Sequence, residues 1–184
     1  MAAAHAAMIA LAAYSRDKGA SGMLASVIRT RPGKQFVQFM RGDTGKKIDK
    51  FLVRTTGFSL LMKTFSAMVG FPPMPVLMIY TIGRKSGVER STVMPYVEMD
   101  GLIYLIGSNG AKTNDPFWME NLRANPRAKI IVDRRTSLRR ARFLDFDSDE
   151  RAKLWAFAET KTPQYATYQN STTRPIPVVA LEPA

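Results

Sequence analysis

"STVMPYVEMDGLIYLIGS", residues 91–108, sets two apolar, extended-looking segments on either side of Asp100-Gly101. An Asp-Gly pair supplies the positive φ angles of a tight hairpin, so 91–99 and 102–108 are expected to pair antiparallel. Working outward, "VLMIYTI" (76–82), "AKIIVD" (128–133), "LRRARFLDF" (138–146) and "PIPVVALEP" (175–183) have the same β-branched and aromatic character, with "RRTS" joining the middle two. Helices interrupt them twice. In "NDPFWMENLRANP" (114–126), Asp115 is expected to cap a helix that Pro116 begins and Asn125-Pro126 ends. In "SDERAKLWAFAE" (148–159), Asp147 and Glu150 are expected to form a capping box. Strands joined by short turns dominate. The fold class is therefore mainly β with α, an antiparallel sheet or small barrel with packing helices.

Upstream the pattern changes. Residues 47–69 are expected to form one long helix, stopped by Gly70 and by Pro72, Pro73 and Pro75, and residues 1–45 to form an arm with a short helix and no core of its own. This gives a basic N-terminal arm, 1–75, and a β domain, 76–184. Eleven basic and three acidic residues give the arm a net +8, against +4 for the remainder. Ile48, Phe51, Leu52, Phe58, Leu61, Met62 and Phe65 recur at helical spacing, a face that fits either an anionic membrane surface or the protein's own core. No nucleic-acid reading motif accompanies the positive charge. The uncharged run 64–83 is broken by its prolines, which excludes a spanning helix, and no Lys or Arg precedes the first apolar stretch as a signal peptide requires.

The chain has no cysteine, and its one histidine, His5, lies in the alanine-rich beginning. That leaves no cysteine nucleophile, no Ser-His-Asp relay and no expected metal site. If the protein is an enzyme, its chemistry is expected to be borne by a bound cofactor rather than by its own acid-base residues. In "TIGRKSGVERS" (81–91), glycines after a strand let the backbone approach a ligand closely. Arg84, Lys85 and Arg90 there offer charge-assisted hydrogen bonds to phosphate or carboxylate, although a solvated hairpin loop has the same composition.

Taken in order, "TIGRKSGVERSTVMPYVEMDG", "LIYLIGSNGAKTNDPFWMENLRANP", "DERAKLWAF" and "PQYATYQNSTTRPIPVVALEP" resemble the deazaflavin-dependent nitroreductase family of actinobacteria. The resemblance implies an antiparallel split β-barrel, FMN-binding-like, that binds reduced coenzyme F420 and passes its hydride to a quinone, a nitroaromatic or another electron-poor acceptor. It implies that Arg84, Lys85, Ser86 and Arg90 meet the coenzyme's phosphodiester and glutamate tail, and that Met94 and Pro95 lie along its ring. Ser108, Asn109 and Gly110 match a loop usually reading Ser-Lys-Gly-Gly around the ring and ribityl phosphate, Trp118 and Asn121 match "PxWxxNL" beside the pocket, and Tyr165 and Tyr168 match tyrosines on the substrate side. Tyr165, Tyr168 and Ser108 are the implied catalytic set, with a proton relayed by Ser108 or a tyrosine. Asn109 departs from the family's lysine, Thr162 from a tyrosine, and Asp115 from a position often basic. The expected protein is a cytoplasmic reductase, monomer or homodimer, peripheral on the inner face of the membrane; a lipid- or fatty-acid-binding barrel without F420 turnover is the competing reading.

Overall fold

The computed structural model describes residues 25–70 and 72–184. His5 and the alanine-rich stretch lie outside the described residues. The chain divides into two compact units, one ending at Pro73 and the other spanning Met74–Ala184.

In the first unit, helices α1 (Arg31–Arg41), α2 (Asp43–Thr56) and α3 (Leu60–Val69) follow one another closely. The single helix expected over 47–69 is thus two. Gly57 takes a left-handed conformation that ends α2, and Ser59 caps α3 by accepting from the Met62 N–H. The break is fixed by Asp49, a buried carboxylate that accepts from the Ser59 hydroxyl at 2.9 Å and from the Leu61 N–H at 3.0 Å. The expectation that residues before 45 lack a core is also corrected: Ile28 and Met40 are buried with Leu60 and Ala67. Gly45 permits this closeness, since a Cβ there would lie 2.3 Å from the Met40 Cα.

The second unit holds seven antiparallel strands: β1 (Val76–Ile82), β2 (Glu89–Pro95), β3 (Val97–Met99), β4 (Leu102–Ile106), β5 (Arg127–Val132), β6 (Arg135–Phe143) and β7 (Val178–Pro183). Their order is β2-β1-β5-β6-β7-β4-β3. The Asp100-Gly101 hairpin is present, with φ 52° and 77°. Residues 91–99 are not one strand, however. Pro95 has no N–H to extend the ladder, and the chain changes partner there: β2 pairs with β1, β3 with β4. Because β2 and β3 are the two edges of the order and only Tyr96 separates them, the sheet curls until its edges meet. This is the split-barrel architecture expected from the sequence. The β5–β6 turn is Asp133-Arg134, both at positive φ, so β6 begins at Arg135, inside the stretch expected to be loop. Strand β7 starts only at Val178, after Pro175 and Pro177.

Side-chain alternation gives the curled sheet two packed faces. Ile103 and Leu105 of β4 and Val179 and Leu181 of β7 join Leu77, Ile79, Met119 and Leu122 in one cluster. Tyr104, Val178 and Ala180 join Leu154 and Ala158 in the other. Three helices complete the unit: α4 (Phe117–Ala124), α5 (Asp149–Lys161) and α6 (Gln164–Asn170). Two expected caps are replaced. Pro116 precedes α4 without a side-chain cap, and α5 is capped by the Ser148 hydroxyl, which accepts from the Arg151 N–H. Glu150 instead accepts two hydrogen bonds from Arg142 at 2.9 Å and one from the Tyr104 hydroxyl.

Candidate active site

The cationic turn is built by its glycines. Gly83 N–H donates to the Val88 carbonyl at 2.9 Å, and Gly87, at φ 66°, returns its N–H to the Gly83 carbonyl at 2.8 Å. A Cβ on Gly83 would lie 2.7 Å from the Ser86 hydroxyl, so a larger residue there would have to turn that side chain aside. Helix α4 anchors the turn through one side chain. Buried Asn121 accepts from the Arg84 N–H at 3.0 Å and donates to the Thr81 hydroxyl at 3.1 Å. Both ends of that amide are therefore committed to shaping the turn.

Beside it opens a cleft of about 430 Å³, lined by Thr81, Gly83, Arg84, Lys85, Ser86, Arg90, Thr92, Phe117, Trp118 and Asn121. Six residues expected at the site, Arg84, Lys85, Ser86, Arg90, Trp118 and Asn121, thus converge from a turn, a strand and a helix. Met94 is buried in the same interior cluster as Trp118, and Pro95 ends β2.

Ser108, Asn109 and Gly110 lie outside this lining, in a short turn where Asn109, Gly110 and Ala111 have φ 49°, 61° and 63°. Asn109 and Ala111, on either side of Gly110, are non-glycine residues in left-handed conformations, which is strained, and the surroundings must hold them. Asn109 helps by donating to the Asn114 carbonyl at 2.9 Å. Most of the restraint comes from Arg174. Its guanidinium donates to the carbonyls of Gly107 and Ser108, both at 3.1 Å, and of Lys112 at 3.2 Å, and pairs with Asp115 at 2.6 Å. Asp115 also pairs with Arg123 at 3.0 Å. Its negative charge, which departs from the family's usual residue, is therefore absorbed by two arginines rather than by a helix N-terminus.

Helix α6 packs next to the 109–111 turn, which places Tyr165 and Tyr168 on an adjoining element. Tyr165 is buried among Leu154, Ala158 and Val178, its ring 6.3 Å from that of Trp155. Burial and the neighbouring Tyr168 push its phenol well above the ordinary value; Tyr168, half-buried, is pushed up by burial alone. Both stay protonated donors at neutral pH. Thr162, the departure from a family tyrosine, is buried at the end of α5.

Three residues escape the sequence reading. Phe117, 75% exposed, forms the mouth of the cleft. Glu120 lies 2.8 Å from Arg84 across its rim. Arg174 sits in "STTRPIP", which carries no motif beyond its prolines.

A family model described as F420H(2)-dependent quinone reductase matches residues 59–183. The chain belongs to that family. It is therefore an F420-dependent reductase whose coenzyme is reduced F420. An F420H(2)-dependent quinone reductase of Mycobacterium tuberculosis is 37% identical over 109 residues, covering 58% of this chain and 72% of the relative. A second protein of that organism, similarly described, is 30% identical over 111 residues, covering 60% of this chain and 92% of its own. Among solved structures, an F420-H2 dependent reductase, FDR-A, matches with TM-score 0.53 and 34% identity over 59% of this chain and 94% of that one. A chain described as a domain-swapped dimer matches with TM-score 0.55 and 28% identity over 79% and 98%.

The residues present fit the coenzyme. Arg84, Lys85 and Arg90, with the hydroxyls of Thr81, Ser86 and Thr92, suit an anionic chain, and Trp118 and Phe117 offer apolar walls to a ring. Among the described residues no group of acidic or histidine side chains is arranged to hold a metal.

Proposed function

We propose that the chain reduces a quinone-like acceptor with F420H2, and that the cleft between the 83–88 turn and α4 holds the coenzyme. The convergence of Arg84, Lys85 and Arg90 on one cleft with Trp118 carries this reading. Bound there, the coenzyme supplies a hydride. The protein's part is orientation: Arg84, Lys85 and Arg90 hold the anionic portion, Ser86 adds a hydroxyl, Asn121 keeps the turn in register, and Met94, Pro95 and Trp118 wall the ring. Ser108, Asn109 and Gly110 form the opposing edge, kept in their strained conformation by Arg174. Tyr165 and Tyr168 do not line that cleft; protonated at neutral pH on neighbouring α6, they complete the proposal as the groups that would position the acceptor and donate a proton. Titration with oxidised coenzyme F420, followed by tryptophan quenching, tests the site: binding saturates in the native protein and is lost in Arg84→Ala/Lys85→Ala. A folded protein that binds no F420 refutes it and favours a lipid-carrying barrel. Turnover with menaquinone against a nitroaromatic then ranks the acceptors.

The division into an arm, 1–75, and a coenzyme domain, 76–184, belongs to the same proposal, with the arm meeting an anionic membrane on the cytoplasmic side. Its support is that several large apolar side chains in a sequence rich in lysine and arginine are exposed: Phe39, Ile48, Phe51, Phe65 and Met68, with Phe51 65% exposed. Leu52, Phe58 and Leu61 of the same sequence pattern serve the unit's own core instead. No helix among the described residues is long and apolar enough to cross a bilayer. Phe39→Ser/Phe51→Ser leaves that core intact and weakens sedimentation with phosphatidylglycerol vesicles; unchanged sedimentation overturns the arm's role. The solved relative described as a domain-swapped dimer supports a homodimer over a monomer.

A further inference from the structure

We infer that Glu120 is a built-in competitor for Arg84, occupying that cation until a more highly charged ligand takes it. The inference deepens the coenzyme-site reading and rests on it.

Arg84 stands between two openings. One is the 430 Å³ cleft with Lys85 and Arg90; the other, of about 760 Å³, lies on the far side of α4's first turn and is lined by Asp115, Glu120, Arg123, Phe146 and Arg174. The Arg84 backbone is fixed, because Asn121 accepts its N–H. Only the side chain is free to choose a side. It is turned toward Glu120, with Nη2 2.8 Å from Oε2, and the side chains are 35% and 27% exposed. The contact is close but badly aligned: Oε2 is buried and accepts no hydrogen bond in a sound direction. Charge attraction holds the pair, then, without the directed bonds of a bidentate arginine–carboxylate fork.

Lys85 and Arg90 form no ion pair among the described residues, and Glu89, beside Arg90, is neutralised by Lys129 at 3.1 Å. The ligand-free turn therefore presents two available cations and one that is masked. An anion entering between Lys85 and Arg90 must draw Arg84 away from Glu120. A phosphate or a multiply charged tail does this better than a lone carboxylate, because its attraction grows with charge while Glu120 stays at one. The released Glu120 keeps a cation within reach: Arg123, which also pairs with Asp115, follows it by three residues on the same helical face. Glu120 thus raises the charge a ligand needs before all three cations engage. It is a specificity-determining residue that need not touch the coenzyme.

The test is calorimetric titration of the native protein, Glu120→Gln, Arg84→Ala and the double variant, once with oxidised coenzyme F420 and once with inorganic pyrophosphate. Glu120→Gln keeps the side chain's shape and removes its charge. It tightens both ligands about fivefold at low salt, the scale of a partly exposed ion pair, and the gain disappears in the Arg84→Ala background. Unchanged or weaker binding by Glu120→Gln overturns the inference. So does an equal gain without Arg84, which would mark a general charge effect. If F420 binds none of the four proteins while pyrophosphate shows the Arg84-dependent gain, the competitor stands and the coenzyme assignment falls. A gain in affinity is also a result that a misfolded variant cannot imitate.

Discussion

Replacing Arg174 with methionine removes one guanidinium and with it four restraints on the 107–115 segment. The side chain is 14% exposed and its partner Asp115 16%, so the pair is largely shielded from water. Methionine fills much of the volume but leaves Asp115 dependent on Arg123, and leaves the carbonyls of Gly107, Ser108 and Lys112 without that donor. Breaking a buried pair from one side costs about 3–5 kcal/mol; the residual exposure argues for the lower end, about 3 kcal/mol. For a chain of this size, that lowers Tm by about 6–12 °C. Both tryptophans, Trp118 and Trp155, lie in the 74–184 unit, so fluorescence-detected melting follows the barrel alone. Arg174→Lys keeps the charge and one or two of the contacts, and melts in between. Because the strained residues 109–111 are the proposed edge of the coenzyme site, F420 affinity falls in both variants even at temperatures where they are fully folded. A loss of less than 2 °C in Arg174→Met, with F420 affinity unchanged, would refute the view that this arginine holds the loop.

Asn121→Leu leaves the Arg84 N–H and the Thr81 hydroxyl without a partner, at a cost of about 1–3 kcal/mol; hydrogen exchange at the Arg84 amide should accelerate, and persistent protection would contradict the anchoring role. Ala111→Gly relieves a φ of 63° and should stabilise the barrel by about 0.5–1 kcal/mol in urea unfolding; a destabilised variant would mean that the methyl group makes contacts outweighing the strain. The Glu150 carboxyl is held below its usual range, chiefly by the Arg142 hydrogen bonds. A depressed carboxyl stabilises the fold above its unfolded pKa, and that contribution is lost as pH falls through the folded value. The Tm gap between the native protein and Glu150→Gln should therefore be full at neutral pH and close as the solution is acidified below the ordinary glutamate range; a gap that widens in acid would show the sign to be wrong. The Tyr104 phenol, pushed up to about 12 mainly by burial, should remain silent in absorbance titration at pH 10.5 while exposed tyrosines ionise.

Much of the barrel is legible because its turns announce themselves. Asp100-Gly101 and Gly83/Gly87 need positive φ, and the residues say so. Asp133-Arg134 adopts the same geometry without glycine, and nothing local distinguishes it from the arginines that follow. Pro95 is visible in the sequence, but its consequence is not: whether a proline ends a strand or hands it to a new partner depends on where the other edge of the sheet lies. The helix broken at Gly57 teaches the same lesson. The apolar spacing runs on through the break, and what fixes the break is Asp49, whose carboxylate reaches residues ten and twelve positions away. In the candidate site, the cations were legible because glycines framed them. Arg174, Glu120 and Phe117 were not, since a lone arginine after a helix, a glutamate inside one and an aromatic at its start are ordinary residues until folding sets them beside Ser108, Arg84 and the cleft. Asp115 stands out in the sequence as a charge out of place. Its two arginine partners, eight and fifty-nine residues away, are what make it harmless.

The position of β7 bears on how the molecule is made. It is the last strand of the sheet in the sequence, yet it sits between β6 and β4, with Val178–Leu181 wholly buried. Until it arrives, the sheet exists as two fragments: β2-β1-β5-β6, and the β3–β4 hairpin tethered to it through Tyr96. Each fragment would expose an unpaired, apolar edge of the kind that recruits other chains. Folding of the barrel therefore waits on the ribosome releasing residues 178–183. The nascent protein is most prone to aggregation just before that moment, and a lesion in these six residues would harm yield in the cell more than its effect on the stability of the finished protein suggests.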